Sequence, residues 1–225
     1  MSFTASKPVQ VSSAARAGLL AAVMVTFGFA GFHGAMAAET APKDPDLSIS
    51  ALLRDPETPV AGNPKGDVTI VAFFDYNCPF CMKVEPDLEK LVAGDKGIRL
   101  VYKDWPIFGP VSQYAAKMAL AAHWQHKYHV VHNALMAVGK RKGSEQQVRD
   151  IATKAGADMG QIDKDLVAHG PEIAAILARN EKQADTMGFP GTPVFLVGPF
   201  VIAQAIDLPA FKKAVADARK KQKGG

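Results

Sequence analysis

The chain of 225 residues carries two cysteines, Cys78 and Cys81, two residues apart in the stretch F-F-D-Y-N-C-P-F-C-M-K-V-E-P. Thiols at that spacing serve three chemistries: a structural disulfide, half of a metal clip, or a redox pair that exchanges disulfides with other proteins. A staple gains little here, because a loop this short restricts the unfolded chain least and a chain of this length buries a core without one. A zinc clip wants a second pair of ligands at a matching interval, and the sequence offers none. A redox pair needs its first sulfur ionised, and a helix N-terminus does that, lowering a cysteine pKa from about 8.5 to roughly 3.5–7.5.

The flanking sequence builds such a position. Residues 67–76, D-V-T-I-V-A-F-F-D-Y, form a near-continuous β-branched and aromatic run, the pattern of a central strand buried on both faces. From Met82 to Val92 the apolar residues Val84, Leu88, Leu91 and Val92 recur at helical spacing, with Pro86 expected to kink that helix rather than abolish it. Cys78 therefore falls at the N-cap. Pro79 takes the first helical position, where its missing N–H would be unpaired anyway. The sulfur faces free backbone amides and the positive helix end, so Cys78 reads as the nucleophile and Cys81, one turn on, as the thiol that resolves a mixed disulfide.

Residues 97–105, G-I-R-L-V-Y-K-D-W, predict a second strand and, with the first, a right-handed crossover unit of parallel strands. From Val111 to Met187 the pattern is helical, with Gly139, Gly156 and Gly170 at helix ends and Ser144 and Gln147 at capping-box spacing. Strand returns in T-P-V-F-L-V-G-P-F-V-I-A-Q-A, broken at Gly198 and Pro199 like a hairpin. A last amphipathic helix shows Leu208, Phe211, Ala214 and Val215 on one face.

Cys-Pro-Phe-Cys after an apolar strand, Pro86 eight residues beyond the first cysteine, a helical insertion, and Thr-Pro before a late strand together resemble the DsbA-like thioredoxin-fold thiol-disulfide oxidoreductases. Within them the sequence is most similar to the exported F-F-D-Y-x-C-x-x-C group, to which the copper-resistance protein ScsC also belongs. The resemblance covers roughly residues 52–218. It implies an α/β thioredoxin-like fold with an inserted helical domain, divided as 67–109 and 188–225 for the core and 110–187 for the insertion. It also implies a cis peptide bond before Pro193, with Thr192 and Pro193 beside the cysteines to receive an extended substrate, flanked by Pro79 and Phe80. No diffusible cofactor is implied; the partners are unfolded or cysteine-containing exported proteins and a redox partner that resets the pair. Many relatives bury an acid six residues before the first cysteine as a proton acceptor, and here that position is Ala72. Asp75 and Glu85 are the nearest acids, with Asp75 read as a strand-end capping group. DsbA has Pro-His between its cysteines; Phe80 removes that possible cation, so a less forceful oxidant is expected.

The remaining features bound the function. Residues 1–37 read as a signal peptide, with Lys7 and Arg16 before the apolar run 17–32 and A-M-A at 35–37 for cleavage, which predicts a periplasmic protein with no stable membrane span after cleavage. Residues 38–66, rich in Pro, Asp and Gly, read as a linker with one short helix around Leu47–Arg54. The formal net charge of +4 is spread along the chain, which excludes a nucleic-acid surface of the concentrated basic kind. His123, His126, His129 and His132 recur every third residue; on one helix they drift by about 60° per step, so neighbours could chelate a metal but all four cannot converge, and no metal site is assigned to them. Two other readings stay open: a periplasmic copper-binding protein using the two cysteines with Met82 and nearby His as ligands, and a peptide-binding chaperone. Trp105 and Trp124 read as core or groove aromatics.

Overall fold

The computed structural model describes residues 44–224; the expected signal peptide lies outside the described residues. Five strands form one mixed sheet in the order β1-β3-β2-β4-β5: β1 (Val60–Gly62), β2 (Val68–Phe74), β3 (Ile98–Asp104), β4 (Val194–Val197) and β5 (Phe200–Ile202). The parallel pair β2 and β3 lies in register from Val68 opposite Ile98 to Phe74 opposite Asp104. Helix α2 (Pro79–Gly94) makes the crossover between them and runs through Pro86 without a break. On the other side of β2, antiparallel β4 places Val194 opposite Phe73, and β5 completes a hairpin with β4 whose turn holds Gly198 at φ +54°.

The side-chain period of a strand divides β2 between two cores. Val68, Ile70, Ala72 and Phe74 face the larger cluster, with Leu88 and Leu91 of α2 and Phe211, Val215 and Ala218 of α8 (Leu208–Lys223). Val71 and Phe73 face the other, with Val101, Trp105, Ala184, Val194 and Leu196. Burial on both faces is what the continuous apolar run predicts.

Between β3 and β4 the chain runs through α3 (Pro110–Ala121), α4 (Tyr128–Ala137), α5 (Glu145–Lys154), α6 (Met159–Ala168) and α7 (Gly170–Thr186). Their ends follow the sequence signals. The Ser144 hydroxyl accepts from Gln147 N at 3.2 Å, though the Gln147 amide oxygen reaches the Gly143 N–H rather than that of Ser144. His126, at φ +57°, turns the chain into α4.

Of the stretch 38–66 read as a linker, the described residues 44–66 depart from that reading. Beyond a 3₁₀ turn at Pro45–Leu47 and the expected short helix α1 (Ile49–Leu53), they supply the edge strand β1, paired antiparallel with β3 through Val60 opposite Val101. Lys103 of β3 is fully buried beneath this segment, its ammonium meeting Ala51 O at 3.2 Å, Thr58 Oγ1 at 3.4 Å and Asp55 at 3.7 Å. The Pro, Asp and Gly content that reads as a linker instead shapes a strap whose fixed partners are distant in sequence. Gly62 closes it at φ +72°, where an added Cβ would lie 2.5 Å from Ile98 O. Gly62→Ala is expected to lower stability by about 1–3 kcal/mol, read as the urea midpoint; a loss under about 0.5 kcal/mol would remove this segment from the folded sheet.

Candidate active site

The first sulfur is set by the abrupt end of β2. Asp75, Tyr76 and Asn77 turn the chain, with Cys78 N donating to Asp75 O at 3.1 Å, and Cys78 caps α2 in an extended conformation (φ −77°, ψ 117°) with Pro79 as first helical residue. The Cys81 N–H donates to Cys78 Sγ at 3.4 Å. Asp75, 1% exposed, saturates its carboxylate: one oxygen accepts from Asn77 N at 2.5 Å and Ser112 Oγ at 2.8 Å, the other from Phe108 N at 2.9 Å. It is the capping group the sequence indicates.

The second wall comes from the other end of the chain. The Thr192–Pro193 peptide bond is cis, and the Cys78 thiol donates to Thr192 O at 3.2 Å, across 114 residues. The antiparallel register of β4 on β2 makes this meeting geometric necessity. Thr192 Oγ1 is buried without a partner among the described residues, leaving its O–H able to turn toward a thiolate. Pro193 and Thr192 also line an open cavity of about 380 Å³ with Phe80, Pro190, Gly191 and Gln204. The structure thus brings Cys78, Cys81, Thr192, Pro193 and Phe80 into one place, with Pro79 serving the helix start; Phe80 is 62% exposed whereas both cysteines, free in this structure, are 1% exposed.

The two thiols are electrostatically unlike. Cys78 is held down at about 6, first by the Cys81 thiol that donates to its thiolate, then by the Thr192 hydroxyl and the Cys81 and Phe80 backbone amides, against desolvation. Cys81 is pushed up, first by burial and then by the neighbouring Cys78. One sulfur is a thiolate near neutral pH while the other keeps its proton.

Behind the pair lies a network from the helical block. Tyr76 Oη and His132 Nδ1 lie 3.1 Å apart, and His132 Nε2 lies 3.1 Å from Glu85 Oε1; Phe74, Tyr102 and Tyr128 surround that imidazole. The other histidines go elsewhere: His129 reaches Val60 O at 3.0 Å, and Trp124 stacks on His169 at 4.2 Å between ring centroids. Trp105 is a core residue, edge-on to Phe73. Among the described residues no three His, Cys, Asp or Glu side chains are grouped to hold a metal ion.

Sequence reasoning missed Lys142, in the connection between α4 and α5. It is 3% exposed. Its backbone N donates to Asn77 Oδ1 at 2.8 Å and its carbonyl accepts from Asn77 Nδ2 at 3.2 Å, while its ammonium donates to Tyr76 O and approaches Met82 Sδ at 3.5 Å. Nothing in the sequence near position 142 marks it; the only signal is a basic residue in a short loop after a helix-ending glycine.

A model of the DsbA-like thioredoxin domain matches residues 69–216. The chain belongs to that family. It is a thiol-disulfide oxidoreductase with the DsbA-like thioredoxin fold. A thioredoxin-like oxidoreductase from Silicibacter pomeroyi DSS-3 is 42% identical, with a TM-score of 0.73 over 77% of this chain and 98% of that one. The thiol-disulfide exchange protein alpha-DsbA2 from Wolbachia pipientis is 27% identical, with a TM-score of 0.71 over 76% and 93%. ScsC from Proteus mirabilis, 23% identical, shares the fold with a TM-score of 0.67 over 76% and 77%. Among curated proteins, the Na(+)/H(+) antiporter NhaA 3 of Salinispora tropica is 29% identical over 174 residues, 74% of this chain and 26% of that protein. The chain spans about a quarter of the length of the curated relatives it matches, and antiport stays with those longer proteins.

For this DsbA-like chain, alkylation of the reduced protein is expected to proceed at one cysteine, Cys78, with a rate midpoint near pH 6, followed by peptide mapping. Because that folded pKa lies below the unfolded one, the thiolate adds stability to the reduced protein fully above about pH 9 and loses it as pH falls through about 6. Urea midpoints of reduced wild type and Cys78→Ser should therefore diverge at pH 8 and converge at pH 5; parallel midpoints would contradict the depressed pKa.

Proposed function

We propose that this oxidoreductase works in the periplasm, oxidising exported proteins through the C-P-F-C pair, with Cys78 as the exchanging sulfur and Cys81 as its resolving partner. The observation that carries the reading is the Cys78 sulfur shared between the amides of α2 and the Thr192 carbonyl beside an open groove. In the oxidised enzyme a substrate thiolate attacks Cys78 Sγ, forming a mixed disulfide as Cys81 leaves and takes up a proton. A second substrate thiolate then attacks the substrate sulfur of that bond, and Cys78 departs as a thiolate. The substrate gains a disulfide and gives up two electrons to the pair, which a redox partner must remove.

Oxidation is favoured over reduction because the departing Cys78 thiolate is stabilised in the reduced enzyme and the stabilising hydrogen bonds have no charge to meet in the disulfide. Thr192 and Pro193 present backbone to an extended segment, and Phe80 forms the rim that the segment crosses. The periplasmic assignment rests on the leader-like residues 1–37. A copper ligand set of Cys78, Cys81 and Met82 is disfavoured by the Lys142 ammonium 3.5 Å from Met82 Sδ, since a cation there opposes a second one.

In glutathione buffers the pair is expected to have a potential above that of thioredoxin, about −270 mV, and below that of DsbA, about −120 mV. A value near thioredoxin's would reverse the direction; one at or above DsbA's would contradict the weakening assigned to Phe80. In oxidative refolding of a reduced substrate, Cys78→Ala and Cys81→Ala should each abolish turnover, the second because Cys78 alone cannot hold the disulfide that a substrate thiolate attacks. Suppression of aggregation that survives in Cys78→Ala, with no turnover in wild type, would make the protein a chaperone instead.

A further inference from the structure

We infer that the rim of the active site selects its protein substrates by charge, with Arg141 as the residue that receives an Asp or Glu carboxylate borne near the reacting cysteine. The inference rests on the proposed exchange at Cys78 and narrows the substrates that it serves.

Four stretches of chain close around the motif 78–82. Residues 105–113, after β3, are tied to it where Phe108 N donates to Asp75, and residues 138–144, before α5, where Lys142 meets Asn77. Residues 187–193 bring the Thr192 carbonyl to Cys78, and residues 203–205, after β5, line the cavity opposite Phe80. Together with the motif these stretches hold three cations, Lys140, Arg141 and Lys142, and no acidic residue. Lys142 is buried, so the charge offered to a substrate is carried by the exposed Lys140 and Arg141. Asp75, directly outside the motif, is itself buried and already accepts from three donors.

Arg141 is the better prepared of the two cations. Both backbone groups of Lys142, next in the chain, are bonded to the side-chain amide of Asn77, the residue before Cys78, which fixes the backbone from which Arg141 projects. The Arg141 guanidinium then lies over the Phe108 ring, 4.9 Å from its centroid. Such stacking uses the flat face of a guanidinium and leaves its N–H edge free. Among the described residues no carboxylate lies within ion-pair distance of that edge. A fork already held in place, its donors unspent, takes a carboxylate at two points with less side-chain freedom left to lose. The exposed Phe108 and Ile107 join this receptor to the groove: Ile107 Cδ1 lies 3.9 Å from where a Cβ on Gly191 would stand, and Gly191 lines the cavity beside Thr192. A segment leaving the groove on that side crosses apolar surface and then meets the Arg141 cation, which attracts Asp or Glu and repels Lys or Arg.

The test uses reduced two-cysteine peptides that differ only in their flanking residues, Asp and Glu in one set and Lys in the other, oxidised by the disulfide form of the enzyme. The quantity read is the ratio of kcat/KM for acidic over Lys-flanked peptides; comparing that ratio between proteins cancels the effect of the flanks on the peptides' own thiols. From wild type to Arg141→Gln the ratio is expected to fall about threefold to tenfold at low ionic strength, and from wild type to Lys140→Gln by less than about twofold. An unchanged ratio in Arg141→Gln, or an equal fall in both variants, overturns the inference. Should Arg141→Gln fail to fold, the wild type decides: raising salt from about 0.05 M to 1 M should slow the acidic peptides and speed the Lys-flanked ones, and an equal response of the two sets overturns it. Failure of the wild type to oxidise either set would sink the proposed function instead, so the two failures are separable.

Discussion

One sulfur atom joins two segments 114 residues apart, and much of the architecture is explained by that requirement. A helix amide on one side and the Thr192 carbonyl on the other must both reach Cys78 Sγ, yet they belong to opposite ends of the chain. The sheet solves this by placing β4 against β2 with Val194 opposite Phe73, so that the Thr192–Pro193 bond emerges beside the turn where β2 gives way to α2. A slip of one residue in that register would invert every side chain of β4 between its two cores. The two-sided burial of β2 therefore also protects the position of the sulfur.

The helices between β3 and β4 supply the other walls. Each of the three residues between β2 and Cys78 is tied to that block or its approach: Asp75 to Phe108 and Ser112, Tyr76 to His132, Asn77 to Lys142. Buried polar groups must find partners, and these three find them almost wholly outside the thioredoxin-like strands. The turn is thereby fixed from three directions. Residues 75–77 would otherwise be a polar connection with little to define the angle at which α2 leaves the sheet.

The fold and the centre of the site were legible because their signals are local. A continuous apolar strand, a cysteine where the helix must start and a proline just inside it determine the Cys78 environment within a dozen residues. Pro193 was readable through family resemblance, since nothing local distinguishes it from Pro190. What the sequence hid was long-range. Val60–Gly62 is too short for a periodic signal and becomes a strand only because β3 presents an open edge. Lys142 reads as one charged loop residue among many until Asn77 and Met82 are placed beside it. His132 was visible as the last of four evenly spaced histidines, but its partners Tyr76 and Glu85 lie 56 and 47 residues away, so the spacing pointed to a metal question that the packing answers differently.

The absence of an acid at Ala72 also acquires a physical meaning. A carboxylate facing the pair would oppose the Cys78 thiolate, and the two nearest acids are engaged by other neighbours: Asp75 by three donors, Glu85 by contact with His132. Apart from the Thr192 carbonyl, which accepts from the protonated thiol, the groups turned toward the sulfur are donors, the Cys81 thiol, the Thr192 hydroxyl and the amides of Phe80 and Cys81. All of them act on a charge that exists only in the reduced pair. Each tenfold gain in thiolate stability is a tenfold bias toward reduction of the enzyme's own disulfide, about 30 mV for a two-electron couple. On the proposed reading this arrangement serves an oxidant even without the histidine that DsbA places between its cysteines, and the exposed Phe80 ring offers its substrate apolar surface rather than charge for the thiolate.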